Sequence, residues 1–210
     1  MVQSRDKMNK IIIYTQRVAI IPGYNERRDC ADQKISDFLW RCGFLPIPIN
    51  NHPEQIERYV EALAPSGIVL TGGNDLVPYG GDAPERDETE HLLVELALRK
   101  NIPLLGFCRG MQLISHHFGG KLVPVTGHVA CKHSLSGKFD RTVNSYHNFG
   151  ILDVPEGFEP LARTEDGVVE AMRHKTQRLM AVMWHPEREF PYTAEDIEMF
   201  SRFFDEQEYC

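Results

Sequence analysis

The sequence lacks the features of a disulfide scaffold, a membrane-spanning protein or a nucleic-acid binder. Its five cysteines are widely spaced with no CxxC pair, which is typical of a reduced protein. No apolar run approaches the roughly 20 residues of a membrane span, and the charged first ten residues lead only to Ile11–Ile13, too short for a signal-peptide core. Acidic residues outnumber basic ones, 30 to 23, giving a formal charge of −7, whereas nucleic acids and membrane surfaces select a basic face. We therefore expect a cytoplasmic protein that binds neither a nucleic-acid polymer nor a membrane.

The 210 residues, 42% of them hydrophobic, are enough for one core, and no linker or internal repeat divides them. We therefore predict a single domain over residues 1–210. In the first half, short apolar runs alternate with amphipathic stretches, which predicts an α/β fold with a mixed, largely parallel sheet and helices on both faces. The predicted strands are 10–14, 44–49 (an edge strand because of its prolines), 67–70 and 103–107. The predicted helices are 31–42, 54–63, 86–100 and 110–118.

After Gly120 the apolar runs have little helix between them. This change predicts antiparallel or mixed strands that complete the same domain, at 121–125, 142–146, 168–173 and 179–184. Thr193 is a suitable N-cap for a last helix, 194–206, because Asp196 follows three residues later. The predicted core includes Trp40, Phe200, Phe203 and Phe204.

The most informative segment is a strand that runs into Gly106-x-Cys108-x-Gly110 and then a helix. This arrangement displays a nucleophile on a tight turn, with glycines where side chains would collide. A helix amino terminus also favours the thiolate form of a cysteine. The alternative is a small buried hydrophobic cysteine, and the flanking glycines and the strand end argue against it. Cys108 is therefore the candidate nucleophile.

A nucleophilic cysteine needs a base and a group that orients the base. Among nine histidines, only His185 combines the end of a buried strand with a carboxylate two residues later, Glu187. A third strand end carries Thr71-Gly72-Gly73-Asn74-Asp75, where the N–H of Gly73 is placed to form an oxyanion hole with the N–H of Arg109. All three strand ends are predicted at one edge of the sheet, where such folds place active sites.

Together these segments resemble the class I glutamine amidotransferase-like proteins, which use a Cys-His-Glu triad. GFCRGMQ is similar to the family's nucleophile elbow, MWHPE to its His-Pro-Glu turn and TGGND to its oxyanion strand, within a similarity that covers about residues 10–205. The resemblance implies a flavodoxin-like sandwich and a cysteine-dependent amide hydrolase with neither cofactor nor metal.

Within that family, TGGNDLVPYGG, the start of the 86–100 helix and VNSYH resemble the γ-glutamyl hydrolase branch. The resemblance implies a small γ-glutamyl substrate, cleaved through a glutamyl thioester to release glutamate. It also implies that the glutamyl group is held by Gln112 and the segment Ser145-Tyr146-His147, with Asn74 as a further candidate.

Enzymes of this branch act on γ-glutamyl-γ-aminobutyrate or on γ-glutamyl-CDP-amidate, the latter in capsular phosphoramidate synthesis. Residues 15–17, 146–150 and 185–189 resemble the second subgroup, and arginine suits phosphate. We therefore expect γ-glutamyl-CDP-amidate as substrate, with contacts from Arg17, Arg27 and Arg28. The alternative for residues 25–29 is a solvated, charge-balanced loop. Two other functions stay open: a glutaminase subunit that passes ammonia to a separate synthetase, and a non-catalytic binding protein on the same scaffold.

His128, Cys131 and His133 have a spacing compatible with a metal site. No fourth ligand is evident in the sequence. Packing of this polar loop near the substrate is the alternative, and it is the interpretation that we favour.

Overall fold

The computed structural model describes residues 10–205. Residues 1–9, the predicted helix end Glu206, and Cys210 lie outside them. The α-helices are α1 (Gln33–Arg41), α2 (Ile56–Leu63), α3 (Pro84–Lys100), α4 (Arg109–His117) and α5 (Ala194–Asp205). The strands are β1 (Ile11–Tyr14), β2 (Arg17–Ile21), β3 (Glu26–Cys30), β4 (Leu45–Pro48), β5 (Gly67–Leu70), β6 (Leu104–Phe107), β7 (Val123–Pro124), β8 (Val129–Ser134), β9 (Ser136–Gly137), β10 (Thr142–Tyr146), β11 (Phe149–Gly150), β12 (Phe158–Arg163), β13 (Val169–His174) and β14 (Leu179–Val182).

An eight-stranded sheet in the order β4-β1-β5-β6-β14-β13-β12-β9 forms the centre of the fold. The five strands from β4 to β14 run parallel, and β13, β12 and β9 continue the sheet in antiparallel pairs. The predicted mixed, largely parallel sheet is therefore confirmed. β4 is an edge strand as expected, since its prolines cannot donate hydrogen bonds to a second neighbour.

Helices cover both faces of this sheet, because the buried strands alternate their side chains between two apolar layers. On β1, Ile12 packs into the layer formed with α1 and α5, whereas Ile13 packs into the layer formed with α2, α3 and α4. Phe200, Phe203 and Phe204 are buried as predicted. The prediction for Trp40 was wrong: its side chain is 48% exposed, since α1 turns Phe38 and Leu39 inward and position 40 outward.

The second half contains antiparallel strands, as predicted. Residues 142–146 form a strand as expected, but β10 pairs with β8 in a separate two-stranded sheet. The sequence did not reveal β8, β12 or the β2–β3 hairpin. β8 and β3 carry mostly polar, solvent-facing residues and therefore give little hydrophobic signal. Within residues 10–205, no helix is long and apolar enough to cross a bilayer.

Candidate active site

Three neighbouring parallel strands bring the three chemistry-bearing loops together. β5, β6 and β14 pair in register, with Leu70 opposite Gly106 and Phe107 opposite Val182. The loops after these strands therefore leave the same edge of the sheet. These loops carry Gly73, Cys108 and His185, and the predicted juxtaposition follows from the parallel register.

Cys108 lies on a sharp turn between β6 and α4. Its backbone has φ 52° and ψ −111°, a conformation that L-residues rarely adopt. A Cβ placed on Gly110 would collide with the carbonyl oxygen of Leu70, and one placed on Gly106 would come within 2.6 Å of the Gly110 backbone. Both glycines are thus sterically required, as the sequence predicted, and the turn presents the Cys108 thiol above the sheet edge.

His185 and Glu187 form a buried pair beside this turn. Nδ1 of His185 lies 2.7 Å from Oε1 of Glu187, and both side chains are 2% exposed. The Cys108 side chain lies next to His185: a Cβ on Gly72 would lie 2.8 Å from His185 Cε1 and 3.6 Å from Cys108 Cβ. Burial opposes a charged imidazole, but the charge and hydrogen bond of Cys108, followed by those of Glu187, outweigh it and raise the pKa of His185 to about 9. This geometry suits a thiolate–imidazolium pair that a carboxylate orients.

Asn144 holds the backbone of His185 and was missed by the sequence analysis. Its side chain accepts a hydrogen bond from the His185 N–H and donates one to the His185 carbonyl, both at 2.8 Å. A buried amide on β10, 41 residues from its partner, carries no sequence signal of this role. The two hydrogen bonds fix the strand end that carries His185.

Of the two predicted oxyanion donors, Arg109 directly follows Cys108, and Gly73 follows Gly72, on which a Cβ would lie 3.6 Å from Cys108 Cβ. Arg109 is the first residue of α4, so its N–H has no acceptor within the helix. Gly73 has φ 128°, and a Cβ there would lie 2.6 Å from Arg86 Nη1 and 2.8 Å from Arg17 Cβ. Only glycine fits that position.

A buried ionic network supports this region from below. The fully buried Arg86 guanidinium donates to the carbonyls of Thr71 and Gly72 and to Glu90. Burial, together with the nearby Arg109 cation, lowers the pKa of Arg86 to about 10. The Arg109 side chain pairs with Glu90 and Asp87. The network therefore anchors the TGGND loop to α3 and α4 through charge-assisted hydrogen bonds.

A cavity of about 270 Å³ opens beside the His185–Glu187 pair. Its lining includes Gly73, His185, Glu187 and two exposed cations, Arg17 and Arg188. No carboxylate of residues 10–205 lies within salt-bridge distance of Arg17. Arg188 was not among the predicted site residues, although it directly follows Glu187.

The other two predicted arginines lie outside this cavity. Arg27 pairs with Glu85 at 2.6 Å, and Arg28 pairs with Glu26 at 2.7 Å. Residues 26–30 form β3 of an antiparallel hairpin rather than a loop, whereas the charge balance of the alternative is seen in the exposed Arg27–Glu85 and Arg28–Glu26 pairs. The hairpin pairs Arg28 with the neighbouring Glu26 and brings Arg27 to Glu85 at the start of α3.

The residues expected to hold the glutamyl group differ in their access to the cavity. Gln112, Ser145 and His147 are buried, and their side chains bond protein carbonyls or a carboxylate. Asn74 exchanges two 2.9 Å hydrogen bonds with the backbone of Val18. Only Tyr146 of this set is exposed; its ring centroid lies 5.7 Å from that of His185 and 4.6 Å from the Arg188 guanidinium.

Comparison with known proteins places this geometry in a family. The class I glutamine amidotransferase pattern matches residues 29–207. A γ-glutamyl-CDP-amidate hydrolase of Campylobacter jejuni is 32% identical over 83% of this chain and 88% of its own length. A glutamine-hydrolysing GMP synthase subunit of Methanocaldococcus jannaschii is 32% identical over 67% of this chain and 73% of its own. A crystal structure of a GMP synthase subunit from Thermoplasma acidophilum superposes with a TM-score of 0.68 at 22% identity, covering 93% of this chain and 92% of that one. The chain therefore belongs to the class I glutamine amidotransferase family and is a glutamine amidotransferase-like amide-bond hydrolase.

Proposed function

We propose that this protein hydrolyses the γ-glutamyl amide bond of a small molecule by covalent catalysis at Cys108, with γ-glutamyl-CDP-amidate as the substrate. The observation that carries the proposal is the placement of Cys108 on a strained turn next to the His185–Glu187 pair, which lines a cavity together with Arg17 and Arg188. The triad supports the amide chemistry and the two cations support a phosphate-bearing leaving group.

In the first half of the reaction, the Cys108 thiolate attacks the δ-carbonyl carbon of the glutamyl group. The N–H groups of Gly73 and Arg109 stabilise the resulting oxyanion. The C–N bond then breaks as His185 gives its proton to the leaving nitrogen, which releases the amidate and leaves a glutamyl thioester on Cys108.

In the second half, neutral His185 removes a proton from water, and the hydroxide equivalent attacks the thioester carbon. Collapse of this second tetrahedral species breaks the C–S bond, which frees glutamate and restores the thiolate and the imidazolium. Glu187 orients the ring throughout, because its carboxylate accepts a hydrogen bond from Nδ1–H.

A glutaminase subunit is the second candidate, favoured by the similarity to the Methanocaldococcus GMP synthase subunit. It would use the same chemistry on glutamine and pass the ammonia to a synthetase. The arginines at the rim of the cavity distinguish the nucleotide-amidate hydrolase from the glutaminase subunit, since an ammonia leaving group has no phosphate for Arg17 and Arg188 to bind.

Mass spectrometry of the products from a substrate panel tests the proposal. The panel contains γ-glutamyl-CDP-amidate, γ-glutamyl-γ-aminobutyrate and glutamine at equal concentrations. We expect the highest kcat/KM for the nucleotide amidate. Preference for glutamine would support the glutaminase subunit, and preference for γ-glutamyl-γ-aminobutyrate would retain the hydrolase and overturn the nucleotide substrate. Activity on none of the three compounds would support the alternative of a non-catalytic binding protein.

A further inference from the structure

Three buried side chains converge outside the catalytic cavity. His128 precedes β8, His147 follows β10 and Glu170 lies on β13; they are 1%, 3% and 0% exposed. One potential ligand atom from each residue lies within 4.8 Å of the others. The backbone N–H of His147 also donates to the His128 carbonyl at 2.9 Å, which ties the two histidine positions together. The cluster thus joins the β8–β10 ribbon to the central sheet.

The hydrogen bonds on the far side of each ring fix which nitrogen carries the proton. His147 Nδ1 lies 3.0 Å from the Phe149 carbonyl, so this nitrogen is the donor and Nε2 presents its lone pair. His128 Nε2 lies 2.9 Å from an Asp166 carboxylate oxygen, so Nδ1 presents its lone pair. Both lone pairs face the Glu170 carboxylate.

These facing groups are all acceptors, which leaves the cluster without a hydrogen between them. His147 Nε2 lies 3.2 Å and His128 Nδ1 lies 3.7 Å from Glu170 Oε1. Within residues 10–205, His128 Nδ1 and Glu170 Oε2 are buried and have no hydrogen-bond partner. Converging lone pairs in a buried site need a cation to compensate for their lost hydration.

We propose that His128, His147 and Glu170 bind a divalent transition-metal ion, with Zn²⁺ as the best match. Two imidazoles and a carboxylate form a common zinc donor set, and bonds of about 2.0–2.1 Å in a tetrahedron separate the ligand atoms by about 3.3 Å. The spacings of 3.2 and 3.7 Å bracket that value.

The outer hydrogen bonds match those of metal-bound histidines. Such histidines donate their other N–H to a carboxylate or a backbone carbonyl, the roles that Asp166 and Phe149 fill here. A surface cavity of about 450 Å³, lined in part by His133 and Asp166, lies beside this region, since Asp166 bonds His128. Cys131, which the sequence grouped with His128, instead donates to the Gly127 carbonyl. The bound ion would have a structural role, because β10 carries Asn144 and Tyr146 toward His185.

Zinc binding by the chelator-treated full chain, titrated with Zn²⁺ against a chromophoric competitor, tests the proposal. We expect one equivalent in the unaltered protein, with a rise in Tm, and a loss of at least about a hundredfold in affinity for His147→Gln and Glu170→Gln. His91→Gln is the matched control, since His91 and His117 form a second close histidine pair, 2.9 Å apart, outside the cluster. That variant should still bind one equivalent of Zn²⁺.

A second measurement uses only the unaltered chain, in case the variants do not fold. Crystals grown with Zn²⁺ should show an anomalous difference peak between the three side chains. No equivalent of zinc, a peak elsewhere, or unchanged binding in folded Glu170→Gln would each overturn the proposal. If the protein binds no zinc, a doubly protonated His147 seen by NMR would identify a proton as the cation that Glu170 holds.

Discussion

The floor of the catalytic cavity is positioned by the central sheet, whereas the rim is built from exposed side chains outside it. We call the buried residues Cys108, His185 and Glu187 the floor; His185 and Glu187 line the cavity. Cys108 and His185 follow the adjacent parallel strands β6 and β14, and Glu187 lies in the 3₁₀ turn after His185. The rim consists of Arg17 and Arg188, which come from a hairpin and a short 3₁₀ turn. Under the proposed function, the floor would carry the amide chemistry and the rim would select the leaving group.

The largest effect is expected from removing the nucleophile. Cys108→Ala should reduce turnover by on the order of 10⁴-fold or more, because the thioester to Cys108 can no longer form. Far-UV circular dichroism should be unchanged, since alanine preserves the turn without adding atoms. Cys42→Ala, which alters a buried cysteine of α1's C-cap, should retain turnover. Near-normal activity of the folded Cys108→Ala protein would eliminate the mechanism.

The second effect separates the base from the group that orients it. His185→Asn should cost on the order of 10⁴ to 10⁶ in kcat, and Glu187→Gln one to two orders of magnitude less, since an amide still occupies the carboxylate position. Steady-state kinetics on the preferred substrate measure both. An equal or greater loss in Glu187→Gln would assign that residue a more direct part in the reaction.

The proton on His185 also links the floor to protein stability. The pKa of His185 is raised from 6.5 to about 9, so the folded state binds this proton more tightly than the unfolded chain. Its contribution to the free energy of unfolding is therefore complete below pH 6.5 and is lost as the pH rises through about 9.

Cys108→Ala should lower the pKa of His185, because the effect of burial, which lowers this pKa, would then be opposed by Glu187 without Cys108. The fall in unfolding free energy across this pH interval should become shallower. Urea unfolding at several pH values and NMR titration of the imidazole measure the change. An unchanged His185 titration in the alanine variant would mean that the two side chains do not interact.

A smaller effect is expected from replacing Asn144, the residue of β10 that holds the His185 backbone. Asn144→Ala removes both hydrogen bonds to the His185 backbone, which should lower kcat about ten- to a hundredfold at a cost of roughly 1–3 kcal/mol. KM should change little, because Asn144 does not line the cavity. The pH profile of kcat should shift if the ring moves relative to Glu187. A change confined to KM would place Asn144 at the substrate instead.

The floor and the rim also differ in how far the sequence predicts them. The elbow could be predicted because its requirements are local: Gly106 and Gly110 flank Cys108, and adjacent parallel strands bring their carboxyl ends together. The partners of Arg27 could not, because Glu85 lies 58 residues away and reaches it only through the β2–β3 hairpin. The role of Asn144 depends on a similar long-range pairing. Local steric requirements can be predicted from neighbouring residues, whereas side-chain pairs between distant segments form only in the folded protein.

The smallest effect distinguishes the arginines by their position. Arg17 lines the cavity, whereas Arg28 lies on the same hairpin, pairs with Glu26 and has a side chain that is 56% exposed. Arg17→Met should therefore lower kcat/KM for γ-glutamyl-CDP-amidate about tenfold, the scale of one charge-assisted contact to a phosphate reduced by solvent. Arg28→Met should have no measurable effect, and neither variant should alter cleavage of an uncharged γ-glutamyl amide. Added salt should selectively slow the unaltered enzyme on the nucleotide amidate, because exposed charge contacts are screened. If Arg17→Met lowers the cleavage of both substrates equally, Arg17 supports the Gly73 loop rather than the leaving group, and Arg188 becomes the only rim cation left to bind a phosphate.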